Sequence, residues 1–146
     1  MILTDEREAV LNSILVAVRH AGDHYNKAVE LLENHPSADL FAELLHSRRA
    51  AATQLAELLR AFGFLPAEPD PDRLALDELA TRVKAALAQD VTAILEHKAL
   101  QRELQIEQQL GSALEMEWPE SAGAPLGRLL EETRSQIERL RALKKA

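Results

Sequence analysis

Residues 64–73, FLPAEPDPDR, carry three prolines in ten positions and divide the chain into two halves. Proline has no amide hydrogen to donate and fixes its φ angle, so a regular helix cannot run through such a stretch. The residues on both sides of it show the three- and four-residue spacing of apolar positions that is typical of amphipathic helices. The stretch is therefore predicted to be the main connection of the fold, between two helical segments.

The composition indicates a single all-α domain. The chain has 146 residues, of which 47% are hydrophobic, 28% are charged and only 3% are aromatic. This length predicts one domain, and few aromatic residues with few glycines favour helices over a sandwich or a barrel. The net charge of −7 has the wrong sign for a nucleic-acid partner or an anionic membrane surface. With no cysteine, a disulfide framework and thiolate chemistry are excluded.

The first half is predicted to be a helical hairpin over residues 4–63. Thr4 and Asp5 favour a helix start, and the first long helix should run to about Glu33, before a turn at residues 34–37. The second helix should begin beside Pro36 and run to Phe62, where Gly63 is suited to a left-handed cap. The apolar stripe of the first helix comprises Leu11, Ile14, Val18, Ala21, Tyr25, Ala28, Val29 and Leu32.

The second half is predicted to hold a crossover at residues 64–89 and a second hairpin at residues 90–146. Asp70 before Pro71 is typical of the start of a short helix, which would be a fifth helix within the crossover. Gln89-Asp90 offers a second helix start, from which a long helix should continue until Pro119. Residues 119–125 contain two prolines and a glycine and are predicted to be a loop. Residues 1–146 together are thus predicted to form a single four-helix bundle, since antiparallel hairpins pack in this way.

Short patterns spread over most of the chain resemble a ferritin-like family of small bacterial proteins of unknown function. The similarity implies an antiparallel four-helix bundle made of two helix pairs with a helical crossover. It implies neither a substrate nor a reaction. The residues that carry it are Tyr25, Ala28 and Glu30 on the first helix, Leu40, Phe41 and Arg48 on the second, Gly63 after it, and Ile94, Leu95 and Glu96 on the third.

Ferritin-like enzymes hold iron or manganese through inward glutamates and Glu-x-x-His motifs. Glu43 and His46 have that spacing, but at about 100° per residue Glu43 lies near the edge of the apolar stripe and His46 lies opposite Leu44, so the motif is predicted to face solvent. On the first helix Asp23 and Glu30 point outward, and on the third Glu96 and Glu103 flank the stripe. His20 and His24 share one face at the spacing of a histidine pair, and that face is predicted to be exposed. These six ligand candidates, Glu43, His46, Glu96, Glu103, His20 and His24, are therefore not expected to form a di-metal centre, and no cofactor is expected.

A polar layer inside the bundle is predicted instead. Arg48 falls among apolar positions of the second helix, and Arg102 and Gln109 fall among those of the third. A buried guanidinium needs a charged or hydrogen-bonding partner. Tyr25 and Thr133 are the other predicted members of this layer, and Glu103 and Gln136 are further available partners. The alternatives are that the arginines reach the edges of the stripe, that they form a structural network, or that fixed positive charge fills a former metal position. Such a layer could also hold a small anion.

Leu100 and Leu104 form a second apolar facet on the third long helix. The crossover helix could cover this facet; otherwise it is an interface for a second copy or for a partner helix. Trp118, before Pro119, is predicted to close one end of the bundle. The N-terminal residues MILTDERE lack the features of a secretory signal, so a cytoplasmic protein is expected.

Three functions are consistent with these patterns. The first is a non-catalytic ferritin-like bundle with an absent or degenerate metal site, which acts as a structural or protein-interaction module through a protein partner or self-association. The second is a ferritin-like protein of the di-iron or di-manganese type with oxidative or metal-handling activity. The third is an acidic helical chaperone or regulatory binding protein. No nucleophile motif or glycine-rich phosphate loop supports an enzyme of another kind.

Overall fold

Four long α-helices make up the described part of the chain. The structure is a computed structural model, and it describes residues 2–69 and 91–143, with side chains from residue 6 onward. The predicted fifth helix and the predicted helix start at Gln89-Asp90 lie outside the described residues. The helices are α1 (Ile2–Leu31), α2 (Ala38–Ala61), α3 (Val91–Ala113) and α4 (Glu120–Leu143). The prediction of an all-α fold is confirmed for these residues.

The first hairpin follows the sequence pattern closely. Helix α1 ends two residues before the predicted limit, and Asn34 takes a φ of 69° in the turn that follows. At the end of α2, Gly63 has a φ of 79°, and its amide hydrogen bonds to the carbonyl of Arg60 at 2.9 Å. A left-handed residue after the last helical turn stops the helix, and glycine adopts this conformation without a Cβ penalty. The predicted left-handed cap is thus confirmed.

Helix α3 ends earlier than Pro119, where the sequence pattern placed its limit. It stops at Ala113, and tighter turns follow, with the amide of Glu115 bonded to Ser112 and that of Met116 bonded to Ala113. The indole nitrogen of Trp118 donates to the carbonyl of Ala113 at 2.7 Å. The Ala113 carbonyl at the helix end thus accepts hydrogen bonds from both the Met116 amide and the Trp118 indole. The half-buried Trp118 ring also lies 6.0 Å from the Phe62 ring, so it closes this end of the bundle between α2 and α3.

The predicted loop at residues 119–125 is wrong. Helix α4 begins at Glu120 and contains Pro125 in its second turn. The reason is tertiary packing: Ala122 is 1% exposed and Leu126 is fully buried, so one helical turn places both on the core face. The amides of Ala122 and Gly123 both bond to the carbonyl of Pro119 at 2.9 Å, which starts the helix before the proline.

Contacts between side chains give the directions of the helices. In the hydrogen-bonded pairs Ser13–Gln109 and Tyr25–Glu103, the residue number on α3 falls as the residue number on α1 rises. Helix α3 therefore runs antiparallel to α1. The pairs Glu43–Arg139 and Ser47–Glu132 show the same for α2 and α4. Helices α2 and α3 therefore both run opposite to α1, and α4 runs with it.

The start of α3 lies beside the turn between α1 and α2. The Ser37 hydroxyl is 3.3 Å from Glu96 Oε1, and Thr92 Oγ1 is 3.4 Å from His35 Nε2. The end of α2 lies at the opposite end of the bundle, and the segment of residues 64–69 starts back along α1. There the side chain of Asn12 bonds to the backbone of Leu65 and Ala67, at 3.1 and 2.7 Å.

The core is a single cluster of apolar side chains contributed by all four helices. Of the predicted stripe on α1, every member is buried except Val29, which is half-buried. Within residues 2–69 and 91–143, no helix combines the length and the apolarity that a membrane span requires. A group of buried polar side chains lies within this apolar core.

Candidate functional site

Five polar side chains form a buried polar network at the centre of the bundle. They are Tyr25 on α1, Arg48 on α2, Glu103 on α3, and Thr133 and Gln136 on α4. Gln136 is 6% exposed and the other four are 1% exposed or less. Each helix contributes at least one of these side chains from a position on its apolar face. Burial of the neighbouring leucines and alanines therefore places the polar side chains inside the bundle as well.

An ion pair between Arg48 and Glu103 organises the network. Arg48 Nε donates to Glu103 Oε2 at 3.0 Å, and Arg48 Nη2 donates to Glu103 Oε1. Both side chains are 0% exposed. Two parallel N–H bonds to one carboxylate are the strong, directional form of this contact, and their attraction must offset the loss of hydration of both charges. Removing either partner would leave a buried charge unpaired.

Further acceptors surround the Arg48 Nη2 atom. The Thr133 hydroxyl oxygen lies 3.0 Å from it and Gln136 Oε1 lies 2.5 Å from it. The Thr133 hydroxyl donates its own hydrogen to the Leu129 carbonyl at 2.8 Å, which leaves its lone pairs to accept from Arg48. Gln136 Nε2 in turn donates to the Ser47 hydroxyl at 2.6 Å. The network thus fixes α4 against α2 and α3 by directed bonds.

Tyr25 completes the network from α1. Its hydroxyl donates to Glu103 Oε2 at 2.5 Å, and its ring lies 6.0 Å from the Phe41 ring. Burial raises the pKa of Tyr25 well above its usual value of 10.0, and the neighbouring Glu103 carboxylate raises it further, although Arg48 acts in the opposite direction. The hydroxyl is therefore held as a hydrogen-bond donor.

The titration of Tyr25 is expected to destabilise the protein at alkaline pH. Above about pH 10 the unfolded chain loses the tyrosine proton while the folded chain keeps it, so unfolding releases a proton and the free energy of unfolding falls as pH rises. The limiting slope for one proton is about 1.4 kcal/mol per pH unit. Urea unfolding between pH 8 and pH 12 measures this slope, and Tyr25→Phe should lack that part of it.

Tyr25 is the only tyrosine in the chain, so its ionisation can also be followed directly by ultraviolet absorbance. The tyrosinate band should appear with unfolding at high pH and should follow the loss of helical circular dichroism. A band that develops near pH 10 while the helices remain intact would contradict the burial and the hydrogen bond described here.

Two other residues of the predicted polar layer lie at its margin. Arg102 and Gln109 are half-buried on α3, and Gln109 Nε2 donates to the Ser13 hydroxyl at 3.0 Å. The inward residue of α3 is Glu103, which the helical-wheel estimate placed at the flank. The spacing did not decide between the two positions: Glu103 follows the fully buried Ala99 by four residues and precedes the fully buried Ile106 by three, whereas Arg102 follows Ala99 by three and precedes Ile106 by four.

The candidate metal ligands do not converge on one site. Glu43 is exposed and pairs with Arg139, and His46 is exposed on the same helix. Glu96 is half-buried at the start of α3, and Glu103 is committed to Arg48. In the part of the chain whose side chains are described, no three histidine, aspartate or glutamate residues form a group that could hold a metal ion.

The histidine pair on α1 does not share an exposed face as predicted. His24 is 6% exposed, and its Nε2 lies 3.1 Å from the Leu95 carbonyl of α3, whereas His20 is half-buried. Because α3 packs against this side of α1, His24 lies in the seam between the two helices. Its ring is also 5.8 Å from the Tyr25 ring, so it borders the buried polar network.

The second apolar facet of α3 is half-buried. Leu100 packs against the edge of the core, and Leu104 has a similar exposure. An interface at this facet stays a prediction. Comparison with protein-family models and with curated proteins finds no match for the chain. The buried polar network is therefore the feature from which a function is argued.

Proposed function

We propose that this protein is a non-catalytic four-helix bundle of the ferritin-like type, in which an ion pair takes the place of a di-metal centre. It acts as a structural or protein-interaction module. The observation that carries the proposal is the bidentate pair between Arg48 and Glu103, buried at the level where all four helices contribute a polar side chain.

The helix directions support the ferritin-like part of the proposal. Helices α1 and α4 run in one direction, and α2 and α3 run in the other. The last residue of α2 and the first residue of α3 therefore lie at opposite ends of the bundle. Ferritin-like folds are distinguished from simple up-down bundles by one such long crossover.

The spacing of the polar side chains supports the proposed location. Di-metal centres of this kind take one glutamate from each of two helices and a Glu-x-x-His pair from each of the other two. Here α1 and α3 each provide one side chain, Tyr25 and Glu103. Helix α4 provides Thr133 and Gln136, which are three positions apart in the sequence, the same spacing as in a Glu-x-x-His pair.

The residues present do not fit a di-metal centre. Two divalent cations require several carboxylates to bind and neutralise them, and Glu103 is the single carboxylate of the network. A fixed guanidinium lies against that carboxylate, where it would repel a cation. Thr133 and Gln136 supply only neutral oxygen atoms, and the Tyr25 hydroxyl keeps its proton because its pKa is raised.

Such a centre has no free base or nucleophile among its charged groups, since its one carboxylate, Glu103, accepts hydrogen bonds from Arg48 and Tyr25. Its effect is to fix how the four helices pack, because the bonds from Arg48 specify one register between α2, α3 and α4. A bundle of this kind acts through its surface, which is the basis for proposing a structural or interaction role.

Metal analysis tests the proposal. The protein is incubated with Fe(II), Mn(II) or Zn(II), desalted, and analysed for metal per chain; the expected result is far below one metal ion per chain. Retention near one or two ions per chain would overturn the proposal. The variant Arg48→Glu, Thr133→Glu, Gln136→His removes the guanidinium and places three carboxylates and one imidazole at this position, and it is expected to retain metal. The control that keeps Arg48 but carries Thr133→Glu and Gln136→His should retain much less.

A further inference from the structure

A stripe of residues runs along the outer side of α3, and we call it the outer stripe. Its members follow one another at alternating spacings of four and three residues, over nearly the whole length of the helix. At about 100° per residue, their mean direction lies about 130° from that of the fully buried apolar residues of the same helix. Two helices that pack side by side in a coiled coil use this spacing. The outer stripe consists of Ala93, His97, Leu100, Leu104, Glu107 and Gly111.

The outer stripe has an apolar centre that is only partly covered. Leu100 and Leu104 are half-buried, and His97 is exposed beside them. The space above Gly111 is open, since a Cβ atom built on it would meet nothing within 4 Å beyond its own helix, in the described part of the chain. Apolar surface on the outer side of a helix is stabilised when a partner covers it. The outer stripe is therefore a face on which a second helix can lie.

The sequence of the outer stripe is complementary to itself when it is reversed. In an antiparallel pair with a two-fold axis at the level of Arg102, Leu100 lies opposite Leu104 of the partner subunit. His97 then lies opposite Glu107 of the partner subunit, and Ala93 lies opposite Gly111 of the partner subunit. Each of these contacts occurs twice, because a two-fold interface is reciprocal. The leucines cover one another, and each imidazole can donate a hydrogen bond to a carboxylate.

Other arrangements of the same two helices lack this match. A parallel pair places each residue opposite its own copy, so that Glu107 meets Glu107 of the partner subunit and the two carboxylates repel. An antiparallel pair shifted by seven residues places both leucines opposite members of the stripe that are not leucine. The complementarity of charge and of apolar surface thus favours one register, with a second copy of this chain as the occupant.

The ion pair of Glu107 within the chain is compatible with this contact. Glu107 Oε2 lies 3.3 Å from Arg134 Nε, on the side of α3 that faces α4. A carboxylate has two oxygen atoms with about four lone pairs, so Glu107 can accept from Arg134 and from an imidazole at the same time.

We propose that the outer stripe of α3 binds a second copy of this chain, as an antiparallel two-fold pair of α3 helices. The inference deepens the proposed interaction role by naming the partner, and it rests on that role. The half-buried leucines form a small interface, so the dimer should be weak, with a Kd on the order of 10–100 µM. A chain that retains no metal and never dimerises fails this inference alone, whereas one that dimerises and retains metal fails only the metal-free part of the proposed function.

Sedimentation equilibrium of the full chain gives the first test, at concentrations from about 5 µM to about 1 mM. The average mass should rise from that of one chain to that of two and no further. Leu104→Glu should weaken dimerisation by about tenfold or more, because it places a charge in the apolar centre. The control Gln105→Glu adds the same charge at the next position, which is exposed and lies outside the stripe, and should leave the Kd unchanged. A chain that stays monomeric, or equal effects of the two substitutions, would overturn the proposal.

Exchange of the polar partners tests the register. His97→Glu places two carboxylates opposite each other, and Glu107→Lys places an ammonium group opposite an imidazole. Each substitution alone should weaken dimerisation by about threefold or more. The double variant His97→Glu, Glu107→Lys restores opposite charges across the axis and should dimerise more tightly than either single variant. A double variant that dimerises no better than the single variants would contradict the register.

The absence of cysteine from the chain allows a direct test of direction. Ala93→Cys and Gly111→Cys are prepared as separate chains and mixed under mild oxidation. The mixture should form a disulfide-linked pair, since the two positions face each other. Each variant alone should not, because its two copies of the cysteine lie about 27 Å apart in the antiparallel pair. Equal crosslinking of either variant alone, or none in the mixture, would overturn the proposal.

Discussion

Replacing Arg48 with methionine is expected to lower the free energy of unfolding by about 3 to 5 kcal/mol, because it leaves the Glu103 carboxylate buried without its counter-charge. Methionine has a similar length and fills most of the space of the arginine stem, so the loss of packing is small. The change also removes the donor to Thr133 and Gln136. Because Arg48 is bonded within the network, its replacement is expected to lower the stability. Replacement of an unpaired buried arginine would be expected to raise the stability.

Urea unfolding followed by circular dichroism at neutral pH measures this loss. The matched control is Arg49→Met, the same substitution at the next position, which is exposed on α2 and should change the stability by no more than about 0.5 kcal/mol. A stability of Arg48→Met equal to or above that of the wild type would show that the ion pair does not stabilise the bundle.

The sequence predicts the helices well where local signals and burial agree. The left-handed Gly63 and the apolar stripe of α1 follow from conformational preference and from periodicity. The start of α4 does not, because Pro125 and the glycines around it favour a loop when considered locally. Packing of Ala122 and Leu126 against the core outweighs that preference, and such packing is invisible until the other helices are in place.

The candidate site was predictable in part. Apolar neighbours indicate that Arg48 is inward, and a buried guanidinium requires a partner, but a helical wheel cannot choose between Arg102 and Glu103. These residues are adjacent and differ by about 100° in direction, so a small rotation of α3 decides which one is buried. Leu95, Ala99, Ile106 and Leu110 are all fully buried, and at about 100° per residue their mean direction lies midway between those of Arg102 and Glu103. That Arg48 Nη1 has no hydrogen-bond partner among the described residues depends on atomic geometry that no pattern contains.

The second large effect is expected when both partners of the ion pair are replaced. Glu103→Leu alone should lower the free energy of unfolding by about 3 to 5 kcal/mol, since it leaves the Arg48 guanidinium buried and unpaired. The double variant Arg48→Met, Glu103→Leu contains neither buried charge. It should therefore be more stable than either single variant, although it carries two substitutions.

The recovery is expected to be incomplete, because the Tyr25 hydroxyl then loses its acceptor, at a cost of about 1 to 3 kcal/mol. Adding Tyr25→Phe removes that donor and should restore part of the remaining loss. Urea unfolding of the four proteins of the cycle gives the coupling energy between Arg48 and Glu103, which we expect to be about 3 kcal/mol or more in magnitude. Strictly additive losses would show that the two side chains stabilise the bundle separately. Strong coupling would identify the pair as one unit, which is what a charge-neutral replacement for a metal centre must be.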